Sequence, residues 1–354
     1  MSSSQGRKEL SEHRPRREMP WGDLPRASAA ADSGLLLVDK DQGVTSHDVV
    51  GAIRRLAGTR KVGHGGTLDP MATGLLTIGI GRATKLLTYL SGCEKAYRAT
   101  ICLGAGTNTE DADGEIIIPS AAESARTLAL TAADIDRGIS ALTGEIMQVP
   151  SRFSALKVAG KRAHELARAG EDVQLAARPV RITRFVRLSE PVFNRELFDF
   201  PVITFDVEVG CSAGTYIRAL GRDLGAVFGI GAHLRMLRRI GVRTWNAEDA
   251  RSVAFYRDIA AAGKQLPVIP ISVICRSLFP AVEITADEVR LLQNGQFIKY
   301  RKPMFVCDFF GSDSDLPEFQ ECGTAAAFDP AGKAVALLTK RGRFYKPDLQ
   351  LTEI

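Results

Sequence analysis

Gly63-His64-Gly65-Gly66-Thr67-Leu68-Asp69-Pro70-Met71-Ala72-Thr73-Gly74-Leu75 is the densest stretch of this 354-residue sequence, and the rest is read outward from it. Its glycines let the backbone approach a ligand closely, and one carboxylate, Asp69, is presented beside a proline. Taken alone, a glycine-rich loop with a single aspartate is more often a tight turn than a catalytic site. Neither the Walker spacing G-x-x-x-x-G-K-[ST] nor the dinucleotide spacing G-x-G-x-x-G occurs in it, so nucleotide binding by those routes is unsupported.

Strands and helices alternate irregularly around this loop. On its N-terminal side, Leu35-Leu36-Leu37-Val38 reads as a buried strand, and Ser46 is expected to cap a helix whose Val49, Ile53 and Leu56 share one face. On its C-terminal side, Leu75 to Ile80 reads as a second buried strand. Ala96 to Leu103 alternates so that Tyr97, Ala99, Ile101 and Leu103 lie on one side. Thr131 and Asp134 form a capping-box pattern for a helix from about residue 132. Ile203, Phe205, Val207 and Val209 mark a strand. Beyond Gly214, the stripe Ile217, Leu220 and Leu224 marks a helix with Arg218 on its first turn.

The chain divides into three parts on composition. Residues 1–33 hold too few large apolar groups to offset ordering entropy and are expected to form a disordered tail. A main domain spans residues 34–275. Gln265 to Pro280, with three prolines, is expected to be a connector, followed by a small domain over residues 280–354. In that domain Thr285 to Asn294 reads as a capped helix ended by Gly295. Asp329 to Lys333 reads as a hairpin turn between Thr324 to Phe328 and Ala334 to Thr339. A basic run follows, with Lys340, Arg341, Arg343 and Lys346.

Composition narrows the function classes. A formal charge of +5 permits a polyanionic partner without requiring one. The six cysteines form no CxxC pair and no zinc spacing with histidine, so a reduced, cytoplasmic protein without structural metal is expected. No apolar run reaches the ~20 residues needed to cross a bilayer, and no hydrophobic stretch follows the first charges, so neither membrane insertion nor secretion is expected. The acidic run Glu110, Asp111, Asp113, Glu115 fails as a calcium loop, because Gly114 at the sixth position would put Thr109 first and Ser120 twelfth. It reads as a turn.

The stretch GHGGTLDPMATGLL resembles the signature around the catalytic aspartate of the TruB-type pseudouridine synthases. Lys40-Asp-Gln-Gly43-Val-Thr45-Ser46, Lys95-Ala-Tyr97, Thr107 to Gly114, Gly214-Thr215-Tyr216-Ile217-Arg218, Gly231-Ala-His233 and Leu237-Arg238-Arg239 agree in order and spacing. The resemblance covers about residues 34–245 and departs at Asp41, Ser151, Phe153 and His164. It implies an α+β fold with a mixed, largely antiparallel sheet, flanking helices and an active cleft across the middle of the sheet. It also implies a small, mostly β C-terminal domain of the PUA-like, RNA-binding kind.

The activity implied is isomerisation of uridine to pseudouridine at position 55, in the T-arm loop of tRNA, by a monomer without cofactor or metal. The roles implied are Asp69 as nucleophile, Arg218 as its partner and Tyr97 stacked on the uracil. His64, Tyr216, Leu237 and Lys40 would contact the substrate. One carboxylate suffices for such an isomerisation, where glycoside hydrolysis needs two and a water. Each residue has a plainer alternative: Tyr97 as core, Arg218 as a surface cation, Lys40 as a solvated strand end, His64 as a turn residue. A noncatalytic RNA-binding or tRNA-folding protein on the same scaffold would still explain Arg54-Arg55, Arg60-Lys61, Arg235, Arg238-Arg239 and Lys340 to Arg343, though Asp69, Tyr97 and Arg218 together argue against it. Loss of the residues beyond about 280 is expected chiefly to weaken RNA binding.

Overall fold

A computed structural model describes residues 18–27, 29–153, 157–158, 161–162, 175–194, 197–304 and 323–352; His164 lies outside them. The main sheet has eleven strands. Its continuous path runs Ile269–Pro270, Gly34–Lys40, Thr73–Ile80, Ala232–Val242, Lys95–Leu103, Val202–Cys211, Arg178–Arg187 and Gly144–Gln148. Every neighbouring pair is antiparallel except Ala232–Val242 on Thr73–Ile80, which is parallel. This is the mixed, largely antiparallel sheet expected.

Period-two burial explains the face each strand presents. In Lys95–Leu103, Tyr97, Ala99, Ile101 and Leu103 are buried while Arg98 is exposed, so one face joins the main core. Helices Ala132–Ala141 and Ile217–Val227 cover that face with Ile135, Ile139, Leu220 and Leu224. Helix Ser46–Leu56 adds Val49, Val50, Ile53 and Leu56 to the same core. Its cap is Thr45, not Ser46: the Thr45 hydroxyl accepts from Asp48 N–H, and the Asp48 carboxylate accepts from Thr45 N–H, a reciprocal box. Ser46 is thereby released for another task.

Two expectations about boundaries are corrected. The tail does not extend to residue 33, because Trp21 is 3% exposed in the main core and its carbonyl accepts from Arg257 Nη1. One large indole offsets the ordering entropy that a mean composition suggests is uncompensated. The connector Gln265 to Pro280 contains helix Ile271–Leu278, which opens directly after Pro270 and buries Ile274, Cys275 and Leu278. Prolines mark its ends, where a helix tolerates them.

The C-terminal part is a five-stranded sheet in the order Ala281–Glu283, Thr324–Phe328, Ala334–Arg341, Phe344–Gln350, Ile298–Lys299, with helix Ala286–Gln293 against it. It is not a detached bead. Its Ala326, Phe328, Ala334, Leu337 and Leu351 share one core with Leu35, Leu37 and Leu75 of the main sheet. Leu75 leaves the loop of Asp69, so the C-terminal part supports the strand on which that loop ends.

Candidate active site

The loop carrying Asp69 joins strands Val62–His64 and Thr73–Ile80, which pair antiparallel with His64 opposite Ile78. Leu68, Met71 and Ala72 are buried on either side of Asp69 and anchor the loop by apolar contact. Polar clamps fix its course. The Ser46 hydroxyl accepts from Leu68 N–H at 2.9 Å and donates to Leu68 O at 3.1 Å. Arg239 donates to the carbonyls of Gly66, Thr67 and Leu75. Gly74, at φ +96°, has no room for a side chain, since a Cβ there would lie 2.3 Å from Arg239 O.

Asp69 stands at the middle of the sheet. The parallel pairing sets Arg238 beside Thr73 and Arg239 beside Gly74, and Arg239 is in turn opposite Tyr97. Arg218, on the first turn of helix Ile217–Val227, donates from Nε to Asp69 Oδ2 at 2.8 Å. Its Nη1 donates to Thr109 O at 2.7 Å and lies 3.2 Å from Asp111 Oδ2, and its Nη2 donates to Phe153 O at 2.9 Å. The guanidinium side chain is 5% exposed and that of Asp69 34%, so the base of the pair is buried and the carboxylate faces outward. A planar fork with every arm occupied fixes the direction of the Asp69 carboxylate without covering it, and shares its one charge with Asp111.

The walls follow from strand parity. Tyr97 and Leu237, both buried, share the face of Arg239, because Leu237 pairs with Ala99 and Arg239 with Tyr97. Burial pushes the Tyr97 phenol above its ordinary range against the opposing pull of Arg239, so it stays neutral at physiological pH. His64 is half-buried, and its buried Nδ1 has no hydrogen-bond partner among the described residues. Burial, then Arg239, then His47 lower its pKa, so the imidazole is neutral at pH 7. Tyr216 precedes the helix of Arg218, half-buried, with its backbone held at both N–H and carbonyl by the Gln148 amide. The structure thus brings Arg218 onto Asp69 and sets Tyr97 and Leu237 on the face of Arg239, while His64 lies on the strand that leads into the loop and Tyr216 just before the helix of Arg218.

Lys40 is not at the surface of this cleft. It is fully buried, and its ammonium donates to Asp41 O, Val44 O and Pro70 O, so it holds the backbone beside Asp69 instead of touching substrate. Burial lowers its pKa to about 8, and the same cause brings Lys95, which donates to Ser91 O and Cys93 O, to about 8. Arg239 is likewise 1% exposed and Arg238 pairs with Asp39, which corrects the reading of Arg238-Arg239 as a free basic patch. Sequence reasoning named Asp111, Ser46 and Arg239 without this supporting role and did not name Gln148. Among the described residues no group of three His, Cys, Asp or Glu is placed to hold a metal ion, and no helix is long and apolar enough to cross a membrane.

Comparison with known proteins places the chain in a family. Residues 54–217 match the family model described as "TruB family pseudouridylate synthase (N terminal domain)". A protein of Arthrobacter sp. (strain FB24) named tRNA pseudouridine synthase B is 47% identical, over 90% of this chain and 96% of its own length. One of the same name from Rhodococcus jostii (strain RHA1) is 44% identical, over 90% and 93%. Among solved structures, a chain of an H/ACA RNP bound to a substrate RNA containing 2'-deoxyuridine superimposes with TM-score 0.61 at 20% identity, over 95% of this chain and 98% of that one. A chain of a Cbf5-Nop10-Gar1 complex gives 0.59 at 21%, over 90% and 84%. The last two show the shared fold, and the sequence relatives show the lineage: this chain belongs to the TruB family of pseudouridine synthases.

Proposed function

We propose that this chain isomerises uridine to pseudouridine in tRNA, at position 55 in the loop of the T-arm, with Asp69 as the nucleophile. One observation carries the reading: a partly exposed carboxylate, aimed by a buried arginine, stands within a loop whose backbone is clamped on both sides. The reaction breaks the bond from C1′ to N1 of uracil, turns the base and joins C1′ to C5. The C5 hydrogen leaves as a proton and N1 gains one, so nothing is consumed. Such chemistry asks for a nucleophile to hold the electron-deficient centre while the base turns, and for walls that keep both base and water in place.

In this reading the Tyr97 ring stacks on the uracil, and Leu237, Tyr216 and the neutral His64 line the space of the extruded nucleotide. The nucleoside leaves the stack of the loop to reach Asp69, because the carboxylate lies within the sheet's cleft and not on a protruding edge. The protein acts as a cytoplasmic monomer, and its C-terminal part, residues 280–354, adds affinity for the RNA. Residues 34–275 supply the chemistry. Incubation with an unmodified tRNA transcript, followed by mapping of pseudouridine along it, tests the proposal. Modification confined to the T-arm loop is the expected result; binding without any pseudouridine would leave an RNA-folding protein.

A further inference from the structure

The hairpin Ala334–Arg341 and Phe344–Gln350, with Ile298–Lys299 at its edge, is packed on both faces along its inner half, Val335, Ala336 and Leu338 in one core and Ala334 and Leu337 in another, and exposes its tip apart from Tyr345. Residues directly opposite in an antiparallel pair project to the same face with Cβ atoms ~4.5–5.5 Å apart. Tyr345 and Ile298 are opposite one another and buried, which defines the inner face. Lys340, opposite Tyr345, also takes this side, and its ammonium sits 4.3 Å from the centre of the Tyr300 ring. It is therefore committed within the protein.

The next cross-strand row has the opposite orientation and a different character. Phe344 on the central strand is flanked by Arg341 on one neighbour and Lys299 on the other. Lys346, two residues along, shares its side. All four are exposed, Phe344 at 47%. None of the three cations lies within ion-pair distance of a carboxylate among the described residues. A single exposed phenyl ring is ordinary on a protein surface. A ring flanked on both sides by cations without an ion-pair partner among the described residues is a more restricted arrangement.

We propose that this face stacks an unpaired nucleobase of RNA on Phe344, with Arg341 and Lys299 receiving the phosphates on either side. The charge calls for a polyanion, and the ring selects among polyanions. A duplex keeps its base faces stacked inward and would meet only the cations, whereas a single strand offers a free π-face to the phenyl ring. The site thus fits a single-stranded segment, in a part of the chain that the Asp69 cleft does not use. It deepens the proposed role of the C-terminal part in RNA binding and rests on that reading for its biological setting.

The test uses the full chain and two short RNAs of equal length, a single-stranded oligouridylate and a blunt duplex, at fixed salt. Phe344→Ala should weaken the single strand about tenfold or more and leave the duplex within about twofold, since base stacking on an aromatic ring is worth ~1–3 kcal/mol by alanine substitution. Phe344→Trp should retain single-strand affinity, and its indole fluorescence should be quenched as the oligouridylate binds. Arg341→Ala with Lys299→Ala should weaken both RNAs and flatten the salt dependence. Unchanged single-strand affinity in Phe344→Ala, equal loss of both RNAs, or a Phe344→Trp signal that the single strand leaves unmoved would overturn the proposal. Pseudouridine formation by the unaltered protein is scored in parallel, so a wrong functional reading shows there while oligonucleotide binding still decides the stacking site.

Discussion

Asp69 and Arg218 meet across 149 residues of chain, and the chemistry proposed here depends on that contact. Asp69→Asn keeps the shape and a hydrogen-bond acceptor but cannot act as a carboxylate nucleophile. Single-turnover pseudouridine formation should vanish while tRNA affinity stays within a few-fold. Arg218→Lys keeps a charge but has no planar fork to satisfy Asp69, Thr109 O and Phe153 O together. Its rate should fall on the order of a hundredfold, with a modest loss of binding, and the double mutant should be strongly non-additive. Turnover near the unaltered level in Asp69→Asn would remove that residue from the mechanism. Lys40 allows a second test at this scale. The unfolded chain holds the Lys40 proton to its ordinary pKa of 10.5, whereas the folded chain releases it near 8. Between those values the unfolded state binds more protons, so this lysine contributes stability that grows with pH across the window and is lost as pH falls through about 8. The stability of the unaltered protein relative to Lys40→Met should therefore rise from pH 7.5 to pH 10 in urea titrations. Over the same range the neutral amine has one hydrogen fewer for three carbonyls, so activity should decline. A difference in stability that stays flat with pH would show that Lys40 keeps its charge.

The loop from Val62–His64 to Thr73–Ile80 works as an element because backbone groups, not the aspartate itself, define its course. Ser46→Ala removes both bonds to Leu68 and should cost about 2 kcal/mol at ~1 kcal/mol for each, with a rate loss larger than the affinity loss because Asp69 is displaced. Gly74→Ala meets two obstacles, a positive φ and a Cβ 2.3 Å from Arg239 O. Its expected cost is at least about 1–3 kcal/mol from backbone strain alone. Chemical denaturation of both variants, with single-turnover rates at saturating enzyme, measures these effects; a Gly74→Ala protein of normal stability and rate would mean that the loop has slack. Helix Ile217–Val227 was legible in its stripe of Ile217, Leu220 and Leu224. The cap at Thr45 was missed although Asp48 stands three residues on, the spacing of Thr131 and Asp134; the adjacent Ser46 hydroxyl offers the same position without that acid, and its partner is the distant loop.

At the scale of the molecule, the shared core of Leu35, Leu37 and Leu75 with Phe328 and Leu337 changes what truncation should do. Ending the chain near residue 280 would expose large apolar groups that each contribute ~1.5–3 kcal/mol when buried. The fragment should lose stability and bind a hydrophobic dye, and not merely lose affinity for RNA; a truncated protein melting within a few degrees of the whole would show the two parts to be independent. The sequence by itself determined the elements with strong local periodicity: the strands Lys95–Leu103 and Val202–Cys211, the capped helices and the hairpin at Asp329. It also determined the family, because the order of the motifs around Asp69 is local information. Only the tertiary structure decided which cations are free. Arg238 and Arg239 read as a basic surface and Lys40 as a substrate contact or a solvated strand end, yet Lys40 and Arg239 are buried on carbonyls and Arg238 is held by Asp39, while Lys299, Arg341 and Lys346 stand open beside Phe344. A lysine or arginine is the same letter in either place; long-range strand pairing and the carbonyls it brings together decide whether its charge meets solvent or supports a loop.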